Sequence, residues 1–303
     1  MNFFARRLWL MILMTTLIAS GCISHKTQVP IDQQLLPGIV KTRAELMAAL
    51  EARANIVSTL IGKVELDVSG GGEKTGVLTQ YRKTSGIIQV DRPKQIRIQI
   101  LAPVIATTVA DMVSDGRQYR VSIPVTSPAK FIVGDANAPP TSSNSLMNLR
   151  PQHILDALFV DVRPYINNSN VRSFLEEASN GRIRYYVLHF VDLTNSDGRL
   201  LEKIWIDRTN LEVRRKQIFG ADGRLDSDVS YAGYIELTAG YAFPQVITIQ
   251  RHVEDYNVKI TFQPDKVKVN EKLSEHAFLL ERPAGSELVQ IPDNAGPRPF
   301  REE

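Results

Sequence analysis

The sequence predicts a mainly β protein with some α: one long antiparallel sheet, strongly curved, with short helices covering one face. Three observations predict it. Apolar and polar residues alternate along several runs. In "KQIRIQI", Ile96, Ile98 and Ile100 share one face while Gln95, Arg97 and Gln99 share the other. In "YNVKITF", Tyr256, Val258, Ile260 and Phe262 do the same against Asn257, Lys259 and Thr261, so each strand turns one face to apolar material and one to water. Asp115-Gly116, Asp197-Gly198 and Asp222-Gly223 fall between such runs, and Asp-Gly suits a tight hairpin because glycine accepts positive φ. The order of elements, strands then a helical insert then strands, suits one sheet with helices on one side.

The elements follow in order. Arg6 and Arg7 precede an apolar run from Leu8 to Ile18 and the small residues Ala19, Ser20 and Gly21. Residues 1–21 therefore read as a secretory signal peptide; the run is short of the roughly 20 residues a membrane span needs. Residues 22–40 carry Pro30 and Pro37 with no period, the pattern of an extended tether reaching tens of ångströms from a membrane, at roughly 3.3 Å per residue. The domain is expected over 41–291. It opens with a helix: Thr42-Arg43-Ala44-Glu45 fits a capping box, and Leu46, Met47, Leu50, Ala54 and Val57 recur at helical spacing. "SGGGEKTG", Ser69 to Gly76, lacks the spacing of a phosphate loop and reads as a hairpin tip. A short helix starts at Arg150-Pro151, with Ile154, Leu155, Leu158 and Phe159 on one side.

A second helical stretch is expected over Val171 to Ala178, and strands from about Arg182 to about Val269. Leu200 to Phe219 form an extended hairpin in which Trp205 points opposite to Ile204 and Ile206. No repeat unit is evident around the Asp-Gly turns. The tail, 292–303, reads as disordered. Two strand blocks could instead form two domains, but no flexible linker separates them.

Composition and motifs restrict the function. A chain 43% hydrophobic and 23% charged is ordinary for a globular protein, and a net charge of +3 without a dense basic run gives nucleic-acid binding little support. The five histidines show no metal-ligand spacing. His189 reads as a strand residue, and His252 with Glu254 and Asp255 as a solvated turn. There is no G-x-S-x-G elbow. No cofactor, metal or catalytic residue is expected, and the protein is expected not to be an enzyme.

"LIASGC", ending at Cys22, the chain's one cysteine, resembles the lipobox of bacterial lipoproteins. That resemblance implies a lipid on Cys22, with the signal cut before it. A lipidated Cys22 leaves no thiol for a disulfide, a zinc site or a nucleophile, and two or more acyl chains anchor a protein stably to a membrane. Ile23 avoids the Asp that resembles an inner-membrane retention signal in some bacteria, so an outer-membrane anchor facing the periplasm is expected, with the inner membrane as the alternative.

A second resemblance rests on Arg92-Pro93, Pro103, Val113-Ser114-Asp115-Gly116 and Pro124, and on the ending "HAFLLERPAGSELVQI" with its Phe278 and Pro283-Ala284-Gly285. In this order they resemble the LolA/LolB-like family of periplasmic lipoprotein carriers and outer-membrane receptors. The resemblance implies an incomplete antiparallel β-barrel closed by helices around an apolar cavity for acyl chains. By position it implies that Arg92 ties the sheet to a helical lid and governs opening, and that Val104 and Ile105 form a loop passing lipid to the membrane. Both have plainer readings, a solvated strand-end arginine and the start of a buried strand. Ile96, Ile98, Ile100, Val109 and Met112 are candidates for the cavity wall.

The implied function is binding or transfer of acyl chains of lipoproteins or lipids in the bacterial cell envelope, with the membrane and a periplasmic carrier protein as partners. The alternatives are a sensing module on the same fold that binds lipidated or misfolded proteins without transport, and an envelope hydrolase.

Overall fold

A computed structural model describes residues 28–31, 34–72, 76–102, 107–136 and 148–291. The expected signal peptide, Cys22, the loop carrying Val104 and Ile105 and the tail 292–303 lie outside the described residues.

Helix α1 (Arg43–Ile56) begins where the sequence places it. Thr42 accepts from the Glu45 amide and Glu45 reaches back to the Thr42 amide, a complete capping box. Its buried stripe is Leu46, Leu50 and Ala54. Seven strands follow: β1 (Thr59–Gly71), β2 (Leu78–Gln80), β3 (Thr84–Asp91), β4 (Gln95–Leu101), β5 (Thr108–Ser114), β6 (Gln118–Ile123) and β7 (Lys130–Asp135). The insert holds α2 (Pro151–Leu158) and the single turn α3 (Arg163–Ile166). Eight more strands complete the chain: β8 (Val171–Asn180), β9 (Ile183–Asp192), β10 (Arg199–Asp207), β11 (Val213–Phe219), β12 (Leu225–Thr238), β13 (Tyr241–Arg251), β14 (Tyr256–Val269) and β15 (Glu287–Gln290).

All fifteen described strands belong to one sheet, ordered β15-β7-β6-β5-β4-β3-β1-β14-β13-β12-β11-β10-β9-β8, with β2 paired on β1. The sheet is strongly curved and does not close: an incomplete β-barrel. Its pairs are antiparallel except β15, which lies parallel to β7. The Pro283-Ala284-Gly285 turn, with Gly285 at φ 75°, feeds that last strand. Glycines 116, 198 and 223 in the three Asp-Gly turns have φ of 86°, 64° and 78°, the left-handed conformation their hairpins require.

Two sequence expectations are corrected. Val171 to Ala178 is strand, not helix: β8 pairs with β9 from Val171–Asp192 to Asn180–Ile183. Its apolar residues are too few and too scattered for either period to decide alone, and the backbone bonds offered by β9 settle the matter. The end of the tether is also bound rather than free: the Leu36 and Ile39 amides donate to the carbonyls of Arg182 and Arg208, at 2.9 and 2.6 Å.

A repeat invisible in the sequence appears in the sheet. The series β7-β6-β5-β4-β3-β1 and β14-β13-β12-β11-β10-β9 run in the same spatial order. Within the first, Arg97 holds Asp111 with two bonds (3.0 and 2.7 Å) and Gln99 donates to the same carboxylate. Within the second, Arg215 and Gln217 hold Asp228 in the same way. Upstream, Ile88 and Val90 lead into Asp91-Arg92, as Ile204 and Ile206 lead into Asp207-Arg208. Register makes Ile98 the counterpart of Lys216, and the two halves diverge there.

Candidate functional site

The core lies between the sheet and the helices. Ile96, Ile98 and Met112 are buried in it with Ile88, Ile154, Leu155, Leu158 and Phe262, and Ile100 packs against it. Ile98 stands opposite Met112, and Ile96 opposite Ser114, so one face of β4 and β5 supplies these residues. That face looks toward the helices. Val109, also expected in the wall, is half-buried at a register shift between Ala110 and Thr108 and does not join the core cluster.

The lid over this face is the insert from Pro151 to Ile166, and polar groups tie it down. Arg92, just beyond β3, is nearly buried, with 8% of its side chain exposed. Its Nη1 donates to the carbonyls of Ala54 and Val57 (3.1 Å for the latter) at the end of α1. Its Nη2 donates to Asp161 Oδ2 at 2.7 Å, in the link between α2 and α3. The guanidinium also lies 4.8 Å from the centre of the Phe159 ring. Burial lowers the Arg92 pKa and Asp161 raises it, on a group that remains charged. Burial opposes ionisation of Asp161, yet the bonds from Arg163 and the Arg92 charge hold it below the usual carboxylate value. Arg163 extends the link to Asn55 of α1 at 2.9 Å.

The second half of the sheet holds the lid from the opposite side. Lys216, buried where the first half has Ile98, donates to the carbonyls of Asp156 and Phe159 (3.0 Å for the latter), capping the end of α2. The Tyr231 hydroxyl donates to Ala157 O at 2.9 Å. Tyr165 of α3 donates to Glu202 at 2.8 Å. Burial pushes the Glu202 carboxyl up, against the pull of Lys216. At the start of α2, His153 Nδ1 is hydrogen-bonded to the Tyr256 hydroxyl at 2.7 Å. Burial, then the charges of Arg251 and Arg150, push the His153 pKa well below its usual value.

Beside Arg92 is a cavity of about 50 Å³, lined by Ala54, Phe159, Val213, Tyr231, Tyr241 and Phe243 among others. That is far smaller than an acyl chain, and among the described residues Ile96, Ile98 and Met112 form packed core. An apolar ligand would have to displace the lid segment, which is held both by these hydrogen bonds and by the buried side chains of Ile154, Leu155 and Leu158.

Sequence reasoning found Arg92 and missed Asp161, Lys216, Tyr231 and Glu202. Lys216 carried a faint signal, a charge in an apolar strand, but its partners are carbonyls that only the fold assembles. His189 lies on a strand as expected, 2.7 Å from Glu176. His252 follows the Arg251–Glu254 pair, whose two bonds measure 2.9 and 2.8 Å. Among the described residues no three His, Cys, Asp or Glu side chains converge as metal ligands.

A curved open sheet with short helices packed over its apolar face is a LolA/LolB-like fold. Two solved structures share the fold. The chain is similar to a putative outer membrane lipoprotein-sorting protein domain from Vibrio parahaemolyticus, at 12% identity and a TM-score of 0.50 over 78% of this chain and 95% of that one. It is also similar to a DUF1329 family protein from Desulfovibrio piger, at 14% identity and a TM-score of 0.50 over 77% and 94%. A LolA superfamily protein from Nitrosomonas europaea matches at 12% identity and a TM-score of 0.47, over 80% and 99%. The sequence matches no protein-family model and no curated protein.

Proposed function

We propose that this protein is anchored by a lipid on Cys22 in the bacterial cell envelope, at the outer membrane facing the periplasm. There it holds acyl chains of lipoproteins or lipids between its sheet and its helical lid. The observation that carries the reading is the lid's attachment. The apolar face bearing Ile96, Ile98 and Met112 is covered by a segment fastened through Arg92–Asp161, Lys216 and Tyr231. Acyl chains strongly avoid water, at about 0.8 kcal/mol per CH₂, so a holder needs a dry face that can be uncovered. The fold shared with a lipoprotein-sorting domain supports the same reading. In this scheme Arg92 governs opening, Ile96, Ile98, Ile100 and Met112 line the opened face, and Val104 and Ile105 contact the membrane during transfer.

Mass spectrometry of lipids co-purified without detergent tests the proposal, together with titration of a fluorescent acyl probe. The domain used should begin at residue 28, so that it keeps residues 34–41. Co-purified lipid and saturable binding are expected. A domain that carries no lipid and shows no saturable binding overturns it. A second reading, a module that binds an extended protein segment, is favoured by β8, which among the described residues pairs on one side only and carries the exposed Phe174. Peptide binding by a lipid-free domain would select that reading.

A further inference from the structure

Residues 34–41 are a strap rather than a tether. Besides the bonds of Leu36 and Ile39, Arg182 Nε donates to Gln34 O at 3.0 Å. The buried Tyr186 hydroxyl bridges Lys41 N (2.8 Å) and Ile39 O (3.2 Å). Gly38 lies so close that a Cβ there would stand 3.1 Å from Arg208 Cβ. Arg208 is the second half's counterpart of Arg92. Its guanidinium sits over Tyr186 at 4.5 Å and bonds Glu177 at 2.5 Å, and its carbonyl takes the strap.

The strap's position relative to the lid is decisive. In an antiparallel meander, the ends of β3, β10 and β12 and the starts of β9, β11 and β13 lie at one end of the sheet. Arg182 and Arg208 are at that end. So are Arg92, Val213 and Tyr241, which line the cavity, and Arg53 and Ala54 from the last turn of α1. The dozen or so residues between Cys22 and Gln34 reach at most about 40 Å. Leu35, Ile39 and Val40 remain exposed along the strap, apolar groups suited to a bilayer interface.

We infer that the strap orients the domain on the membrane, turning the Arg92–Tyr241 end of the half-barrel toward the lipid surface. A ligand released by the lid then meets the bilayer directly. The inference rests on the Cys22 anchor proposed above. Once Cys22 carries lipid, a cysteine introduced elsewhere is the chain's one free thiol. Ala239→Cys labels the turn at the cavity end, and Ala221→Cys the turn at the opposite end of β12, about 45 Å of strand away.

The lipidated full chain is reconstituted in phosphatidylethanolamine–phosphatidylglycerol vesicles containing a headgroup spin label, and bimane quenching is read at each site. Quenching several-fold greater at 239 than at 221 is expected. Inserting twenty Gly/Ser residues after Thr27 leaves the strap docked but frees its tie to the membrane, and should bring the two values together. Gly38→Val, which crowds the strap against Arg208 and Arg184, should narrow the difference in the same direction. Equal quenching in the unmodified chain overturns the inference, as does a difference that survives the insertion. A chain that carries no lipid and does not float with vesicles overturns the anchor, and the inference with it.

Discussion

Arg92→Leu should loosen the lid before it unfolds the sheet. Of the acceptors that Arg92 serves, Ala54 O and Val57 O lie at the end of α1 and Asp161 in the link between α2 and α3, whereas Arg92 itself is fixed to the sheet margin by its backbone bond to Ser58 O at 2.9 Å. Removing the side chain deletes charge-assisted bonds worth about 1.5–3 kcal/mol each. The loss is smaller than their sum, because Asp161 keeps Arg163 and is 26% exposed. About 2–3 kcal/mol off the cost of lid opening is a reasonable magnitude for one such bond plus the contact with Phe159. Under conditions where opening is in rapid equilibrium, amide exchange over residues 151–166 should quicken roughly thirty- to a hundredfold, at tenfold per 1.4 kcal/mol. Exchange in the central strands β13 and β14 should change far less. The measurement is hydrogen exchange by mass spectrometry, with release of the acyl probe timed on the same samples. Lid exchange that stays at the wild-type rate would refute the latch. So would acceleration spread evenly over lid and sheet, which would make Arg92 a support of the whole fold.

Other expected outcomes follow from particular contacts. Cys22→Ser should abolish incorporation of an alkynyl fatty acid; equal labelling of both chains would remove the lipobox assignment. Ile98→Gln should lower Tm, since a fully buried amide under α2 without a partner costs about 1–3 kcal/mol beyond the lost packing; an unchanged Tm would mean the face is already open to water. His153 binds its proton near pH 6.5 in the unfolded chain but well below that in the fold. The unfolded state therefore holds more protons, and stability falls as pH drops below 6.5, by up to about 2 kcal/mol at pH 5. Glu202, whose pKa is raised by burial, contributes with the opposite sign above its usual value, so the test is a difference: His153→Gln should flatten the pH dependence of the urea midpoint relative to wild type.

Local chemistry determined much of this protein in advance. The capping box at Thr42 needs only residues three apart, and the Asp-Gly turns need only a glycine that accepts positive φ, so both are legible in sequence. The alternation at Ile96, Ile98 and Ile100 shows which residues share a face, because a strand's period is two. It cannot say which face turns inward; the helices packed over β4 decided that. Val109 shows the same limit, since the register shift opposite Ile100 and Leu101 breaks the alternation from which its face would be read. The β8 error arose because a weakly patterned edge segment takes its structure from the strand beside it. The matched Arg-x-Gln and Asp constellations were hidden because their partners come from neighbouring strands, and the Arg before them stands at different spacings. Arg92 stood out in the sequence. Its partners Ala54, Val57 and Asp161 lie 35 to 69 positions away, and the strap meets β9 and the end of β10 from about 145 to 170 positions away. Such pairings depend on how the whole sheet curls, and only the tertiary structure brings them together.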